Sequence, residues 1–167
     1  MRYVIRERFF HLGEDSDITD EQGQPVYHID GKVLSLHNTL IIRDRTGTEV
    51  GKVERQLIAL RPTYHIRRGG QEVAAVRKQL FSPFVDRFMI DLPGPHDLSM
   101  TGSLFEHEYT ITRDRQVVAR VSRSWISLTD TYGVEIAPGE DDLLILASVL
   151  ALDLADDREE QESRKRN

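Results

Sequence analysis

Asp141-Asp142-Leu143-Leu144-Ile145-Leu146-Ala147-Ser148-Val149-Leu150-Ala151-Leu152-Asp153 decides the fold. Pro138-Gly139 breaks whatever precedes it, and Glu140, Asp141 and Asp142 place negative charge where a helix N-terminus favours it. The large residues that follow fall on every face of a helix, so the segment has no polar side to show to water. A helix apolar all round is buried in protein or in membrane. From Asp141 to Leu154 it reaches about 21 Å at ~1.5 Å per residue, against about 30 Å of hydrocarbon, which selects protein. Eight large aliphatic side chains between Leu143 and Leu154, each contributing about 1.5–3 kcal/mol when fully buried, make the helix obligatory to the fold.

Working back towards the N-terminus, turn signals recur at short intervals: Glu21-Gln22-Gly23, Asp30-Gly31, Arg45-Thr46-Gly47, Gly69-Gly70, Pro93-Gly94-Pro95, Tyr132-Gly133 and Pro138-Gly139. Short runs rich in Val, Ile, Tyr, Thr and Phe lie between them with rough period-two alternation. Such spacing predicts antiparallel strands and leaves no room for the crossovers of a parallel sheet. An internal repeat sharpens this. Tyr64, Ile66, Arg68, Gln71, Val73, Ala74 and Val76 recur 45 residues on as Tyr109, Ile111, Arg113, Gln116, Val118, Ala119 and Val121, without a gap. A fainter copy runs from Leu40 and Ile42 through Gly47 to Val50, Val53 and Arg55. Each copy reads as a hairpin, which cannot bury its apolar face alone, so the copies must close around the helix. The expectation is a mainly β barrel of residues 1–155 with the helix 141–154 at its centre. Residues 156–167 read as a polar, flexible tail or a solvated helical extension.

Composition narrows the function classes. The chain of 167 residues has no cysteine, which excludes disulfides and thiolate chemistry. Its net charge of −6 is uneven. Residues 1–42 carry 4 basic and 7 acidic groups, residues 43–123 carry 14 and 10, and residues 124–167 carry 4 and 11. A mildly basic middle between acidic ends does not fit a general nucleic-acid binder. The first twelve residues lack the continuous apolar stretch of a signal peptide, and the expected compartment is the cytoplasm, at most peripheral to a membrane.

No catalytic pattern stands out. Gly69-Gly70 is a hairpin turn, Gly31-Lys32 leads into a strand, and no Gly-x-Ser-x-Gly occurs. Only one of the six histidines clusters with carboxylates, in Glu106-His107-Glu108. On a strand His107 would point away from both glutamates, so no metal site is expected there. The acidic run from Glu14 to Glu21 is not a calcium loop, because counting from Asp15 places Asp20 sixth, where glycine is needed, and Val26 twelfth. The expectation is therefore a chain with no catalytic residues, metal or cofactor. Arg55, Lys78 and Arg123 are more informative, each two residues beyond an equivalent valine, Val53, Val76 or Val121. On regular strands they share the valine's face, and an inward valine face would gather them at one rim of the barrel. There they are candidates for binding an anion such as a phosphate or lipid headgroup. The alternative is that each meets solvent or an acidic neighbour. Trp125 would share the same face.

The opening Tyr3-Val-Ile-Arg6-Glu-Arg8-Phe9-Phe10-His-Leu12-Gly13 resembles that of the LURP-one-related proteins. Ile18-x-Asp20-Glu-x-Gly23-x-Pro25-Val-Tyr27 follows, then Ile42-x-Asp44, Val50-Gly-Lys-Val53 and Tyr64-x-Ile66. The ending, Asp130-Thr-Tyr132-Gly-Val-Glu-Ile136 before Asp142-Leu-Leu-Ile-Leu, is similar as well. The resemblance spans about residues 1–155. It implies the fold of tubby C-terminal domains and phospholipid scramblases, a closed antiparallel barrel of about twelve strands around a hydrophobic helix. It implies little chemistry. The expected function is a non-catalytic binding or scaffold module for an anionic phospholipid headgroup or a protein partner. The alternative is a scramblase-like or otherwise lipid-acting protein.

Overall fold

The computed structural model describes residues 1–6, 15–31, 38–79, 85–126 and 130–167. Among the described residues, twelve strands precede one long C-terminal helix. They are β1 (Arg2–Arg6), β2 (Ser16–Asp20), β3 (Pro25–Asp30), β4 (Thr39–Arg43), β5 (Glu49–Arg55) and β6 (Thr63–Arg68). The second half adds β7 (Gln71–Lys78), β8 (Asp86–Asp91), β9 (Leu98–Ser103), β10 (Glu108–Arg113), β11 (Gln116–Ser122) and β12 (Thr131–Ile136). Each pairs antiparallel with its sequence neighbour, and β1 closes the ring on β12, with Val4 opposite Gly133. The expected closed barrel of about twelve strands is the observed fold.

The repeat is structural. Tyr64 faces Val76 and Ile66 faces Ala74 in β6–β7, as Tyr109 faces Val121 and Ile111 faces Ala119 in β10–β11. The register then shifts immediately after Ile18, Ile42, Ile66 and Ile111, so four hairpins carry a bulge at the same place. A bulge bends its strand and increases local twist, which is what a sheet needs in order to close.

The helix α1 (Asp142–Arg166) begins where Asp141 caps it, accepting a hydrogen bond from the Leu144 amide at 3.1 Å. Ile145, Leu146, Val149, Leu150 and Leu152 are buried on all faces and join the inward residues of the strands in a single core. Ser148, the one polar residue in the run, returns its hydroxyl to the Leu144 carbonyl at 2.8 Å. The polar segment left open as extension or tail continues α1 to Arg166. At 25 residues the helix is about 37 Å long, while strands of 5–8 residues span only about 20 Å. About three turns therefore stand outside the barrel.

Candidate functional site

Because neighbours alternate in direction around a ring of twelve, all odd-numbered strands end at the same end of the barrel. Helix α1 enters at the other. Tyr3 near the start of β1 donates to Asp142 at 2.5 Å, Arg68 at the end of β6 pairs with Asp141, and Arg113 at the end of β10 holds Glu140 at 2.7 Å. The helix leaves where the odd strands end, and there Lys78 pairs with Glu159.

The three cations expected at one rim stand at that exit. Arg55 ends β5, Lys78 ends β7, and Arg123 directly follows β11. Their valines are buried, so the shared inward face is real for Val53, Val76 and Val121. The structure brings Arg55 and Lys78 within two strand spacings, about 10 Å along the wall, with Tyr64 of β6 between them. Arg123 lies four strands beyond Lys78, roughly 19 Å along the wall. Its guanidinium donates to Nδ1 of His107 at 2.9 Å, and its amide donates to Glu108 at 2.9 Å. Lys78 also lies 5.9 Å from the Phe88 ring centroid. Trp125 does not continue the inward face, because β11 has ended at Ser122. Its ring lies instead over Gly133, where a Cβ would come within 3.1 Å of it, and 5.4 Å from the Arg2 guanidinium. Together with Ile126 they line a groove of about 350 Å³ on the outer wall.

Beneath this rim is a buried polar cluster that the sequence did not disclose. Asp153 lies at the point where α1 turns from apolar to polar, yet it is buried. It accepts from the Tyr132 hydroxyl and faces His107 Nε2 at 3.4 Å. His107 is not on a strand. It closes the β9–β10 turn with φ +51°, its amide donating to the Leu104 carbonyl at 2.9 Å, and its ring stacks on Tyr132 at 4.4 Å. Only with the ring so turned does it reach the helix, whereas Glu108 accepts from Ser122 instead. Among the described residues no three His, Cys, Asp or Glu side chains converge on a metal position.

The tyrosines of the repeat mark the same level. The Tyr64 and Tyr109 hydroxyls are buried without a hydrogen-bond partner among the described residues. Both are pushed well above the usual tyrosine pKa, first by burial and then by helix carboxylates. These are Glu159, Asp157 and Glu162 for Tyr64, and Asp153 and Asp156 for Tyr109. The acidic turns of α1 therefore face the inner rim.

A closed antiparallel barrel filled by its own C-terminal helix, tied in by polar pairs at both of its ends, defines the class of protein. The comparisons agree. The LURP-one-related family model matches residues 1–153, and the chain belongs to that family. It is 29% identical over 160 residues to the uncharacterised protein YxjI of Bacillus subtilis, covering 95% of this chain and 96% of that one. The X-ray structure of a protein from Arabidopsis thaliana superposes with a TM-score of 0.69 at 17% identity, covering 93% of this chain and 90% of the other. That likeness is one of fold. No described helix is long and apolar enough to cross a membrane.

Proposed function

We propose that this protein is a non-catalytic binding module that takes an anionic phospholipid headgroup at the helix-exit rim, between Arg55 and Lys78. The observation that carries this reading is the Lys78–Glu159 pair. A carboxylate from the protein's own helix lies on the cation at the end of β7, where an external phosphate would bind. A partly exposed pair of this kind contributes little in water, so the phosphate and carboxylate of an anionic headgroup can compete with Glu159 for Lys78. Arg123, engaged by His107 and farther round the ring, supplies charge to the rim rather than to the same phosphate. The buried His107–Asp153 pair supports the non-catalytic reading, because it is covered and has structural partners on both sides.

The test is co-sedimentation with vesicles containing phosphatidylserine, with and without calcium. Calcium-independent binding is expected, weakened by Lys78→Gln and strengthened by Glu159→Gln, which removes the internal competitor. Calcium-dependent lipid mixing would establish the lipid-acting alternative. If neither occurs, the headgroup reading fails and a protein partner takes its place.

A further inference from the structure

The loop joining β5 to β6 presents aliphatic side chains that stand exposed. Leu57 is 68% exposed, Ile58 91% and Leu60 101%, three of four consecutive positions. Singly exposed apolar residues are ordinary, but three on one loop tip are not. Phe105 in the β9–β10 turn is also exposed, and it lies at the same end of the barrel because β9, like β5, runs towards the helix exit. Arg55 and Arg61 bracket the aliphatic tip. The helix that leaves beside it ends in Arg164, Lys165 and Arg166. Several carboxylates at this end are engaged by the protein itself. Glu159 pairs with Lys78, Glu108 accepts from Ser122 and the Arg123 amide, and Asp86 accepts from the Leu104 amide at 2.9 Å. This end therefore carries exposed aliphatic tips with Arg55 and Arg61 beside them.

We propose that the β5–β6 loop, Gln56–Pro62, inserts Leu57, Ile58 and Leu60 into the surface of an anionic bilayer, with Arg55, Arg61 and the basic last turn of α1 at headgroup level. This rests on the headgroup reading above and assigns the element that delivers the rim to its ligand. Two arguments favour a bilayer over a protein. The three aliphatic side chains stand exposed on one loop and Phe105 on another, and a fluid apolar medium receives separate tips without the shape complementarity a protein interface needs. The flanking cations match an anionic surface, whose attraction for basic groups falls off within a Debye length.

Because the chain has no cysteine, Ile58→Cys carries a polarity-sensitive fluorophore at a single site, and Thr46→Cys reports from the opposite end. With phosphatidylcholine vesicles containing phosphatidylserine, the label at 58 should shift to the blue and be quenched by acyl-chain quenchers, and the label at 46 should do neither. The triple substitution Leu57→Ser, Ile58→Ser and Leu60→Ser removes only exposed side chains, so it should fold. It should weaken vesicle binding by about tenfold or more. Sedimentation with vesicles but no shift at 58 overturns the insertion and leaves the headgroup reading intact. A shift of equal size on pure phosphatidylcholine, insensitive to salt, keeps the insertion and overturns the headgroup reading. A shift that needs no lipid and grows with protein concentration assigns the loop to a second copy of the chain and overturns the proposal.

Discussion

The two ends of the barrel are built on different principles. At the end where the helix enters, five hairpin connections span two to six residues, and local chemistry shapes them. Asp20 and Asp44 play the same part in successive hairpins. Each accepts from main-chain amides two and four residues on, with Gly23 and Gly47 at positive φ closing the turn. Long-range pairs tie the helix in at both ends, but only at the end where it leaves is such a cluster buried among the described residues. Lys78 meets Glu159, Tyr132 meets Asp153, and His107 lies between Arg123 and Asp153. The entry end is finished by turns that any sequence reading can find. The exit end carries aliphatic tips that stand exposed beside its cations. Surface features that stability does not require are where binding is to be sought.

The helix joins the two ends, and breaking it should erase the difference between them. Leu146→Asp puts a carboxylate at a fully buried position in the core. The cost is several kcal/mol or a forced protonation, comparable to the whole stability of a domain. We expect loss of near-UV dichroism and of a cooperative melt. A native-like melt would show the helix to be peripheral and the barrel self-sufficient.

Two glycine substitutions sharpen the contrast. At the exit end, a Cβ on Gly102 would lie 2.5 Å from the Glu108 carbonyl oxygen and 2.5 Å from Tyr109 Cβ, so Gly102→Ala must push β9 away from β10. The expected loss is about 2–3 kcal/mol. At the entry end, Gly47 at φ +84° has nothing within 4 Å of its would-be Cβ, so Gly47→Ala meets only the local conformational penalty. That should be about 1 kcal/mol. Urea unfolding of the two variants measures both. Equal losses would mean that tertiary packing does not govern the exit end.

The same division explains how much was legible in the sequence. The all-round apolar run from Leu143 to Leu152 and the Tyr64/Tyr109 repeat disclosed helix, hairpins and enclosure, because burial and turn chemistry leave periodic traces. Asp153 read only as the end of the apolar run, since its partners Tyr132 and His107 are separated from it by 21 and 46 positions. His107 was expected on a strand, and no pattern announces a histidine at positive φ. Arg55, Lys78 and Arg123 were legible as a shared face, but the strand count separating them round a closed ring was not. The exposure of Leu57, Ile58 and Leu60 was hidden as well. Apolar residues read alike whether the fold covers them or not. Their one trace is three aliphatics in four positions without alternation, enclosed by Arg55 and Pro62.

The smallest expected effect tests whether the exit end gives up stability for its polar lining. Tyr109 is buried, its hydroxyl finds no hydrogen-bond partner among the described residues, and burial followed by Asp153 and Asp156 raises its pKa. Removing an unsatisfied buried hydroxyl relieves a desolvation cost, so Tyr109→Phe should stabilise the protein by about 1 kcal/mol at neutral pH. The pH dependence follows from the direction of the shift. Below about pH 10 the hydroxyl is protonated in both folded and unfolded chains, and its linkage contribution is fully present. Above that, the unfolded chain releases the proton first, so the wild type should lose stability as pH rises towards the folded pKa. Tyr109→Phe removes one such group. Tyr64 and Tyr3, also raised chiefly by burial, keep part of the slope. The measurement is the urea midpoint of both proteins from neutral to strongly alkaline pH, where the variant should start higher and fall less steeply. A variant that is less stable at neutral pH would show that the hydroxyl has a stabilising partner after all, and that the exit end is as fully satisfied as the entry.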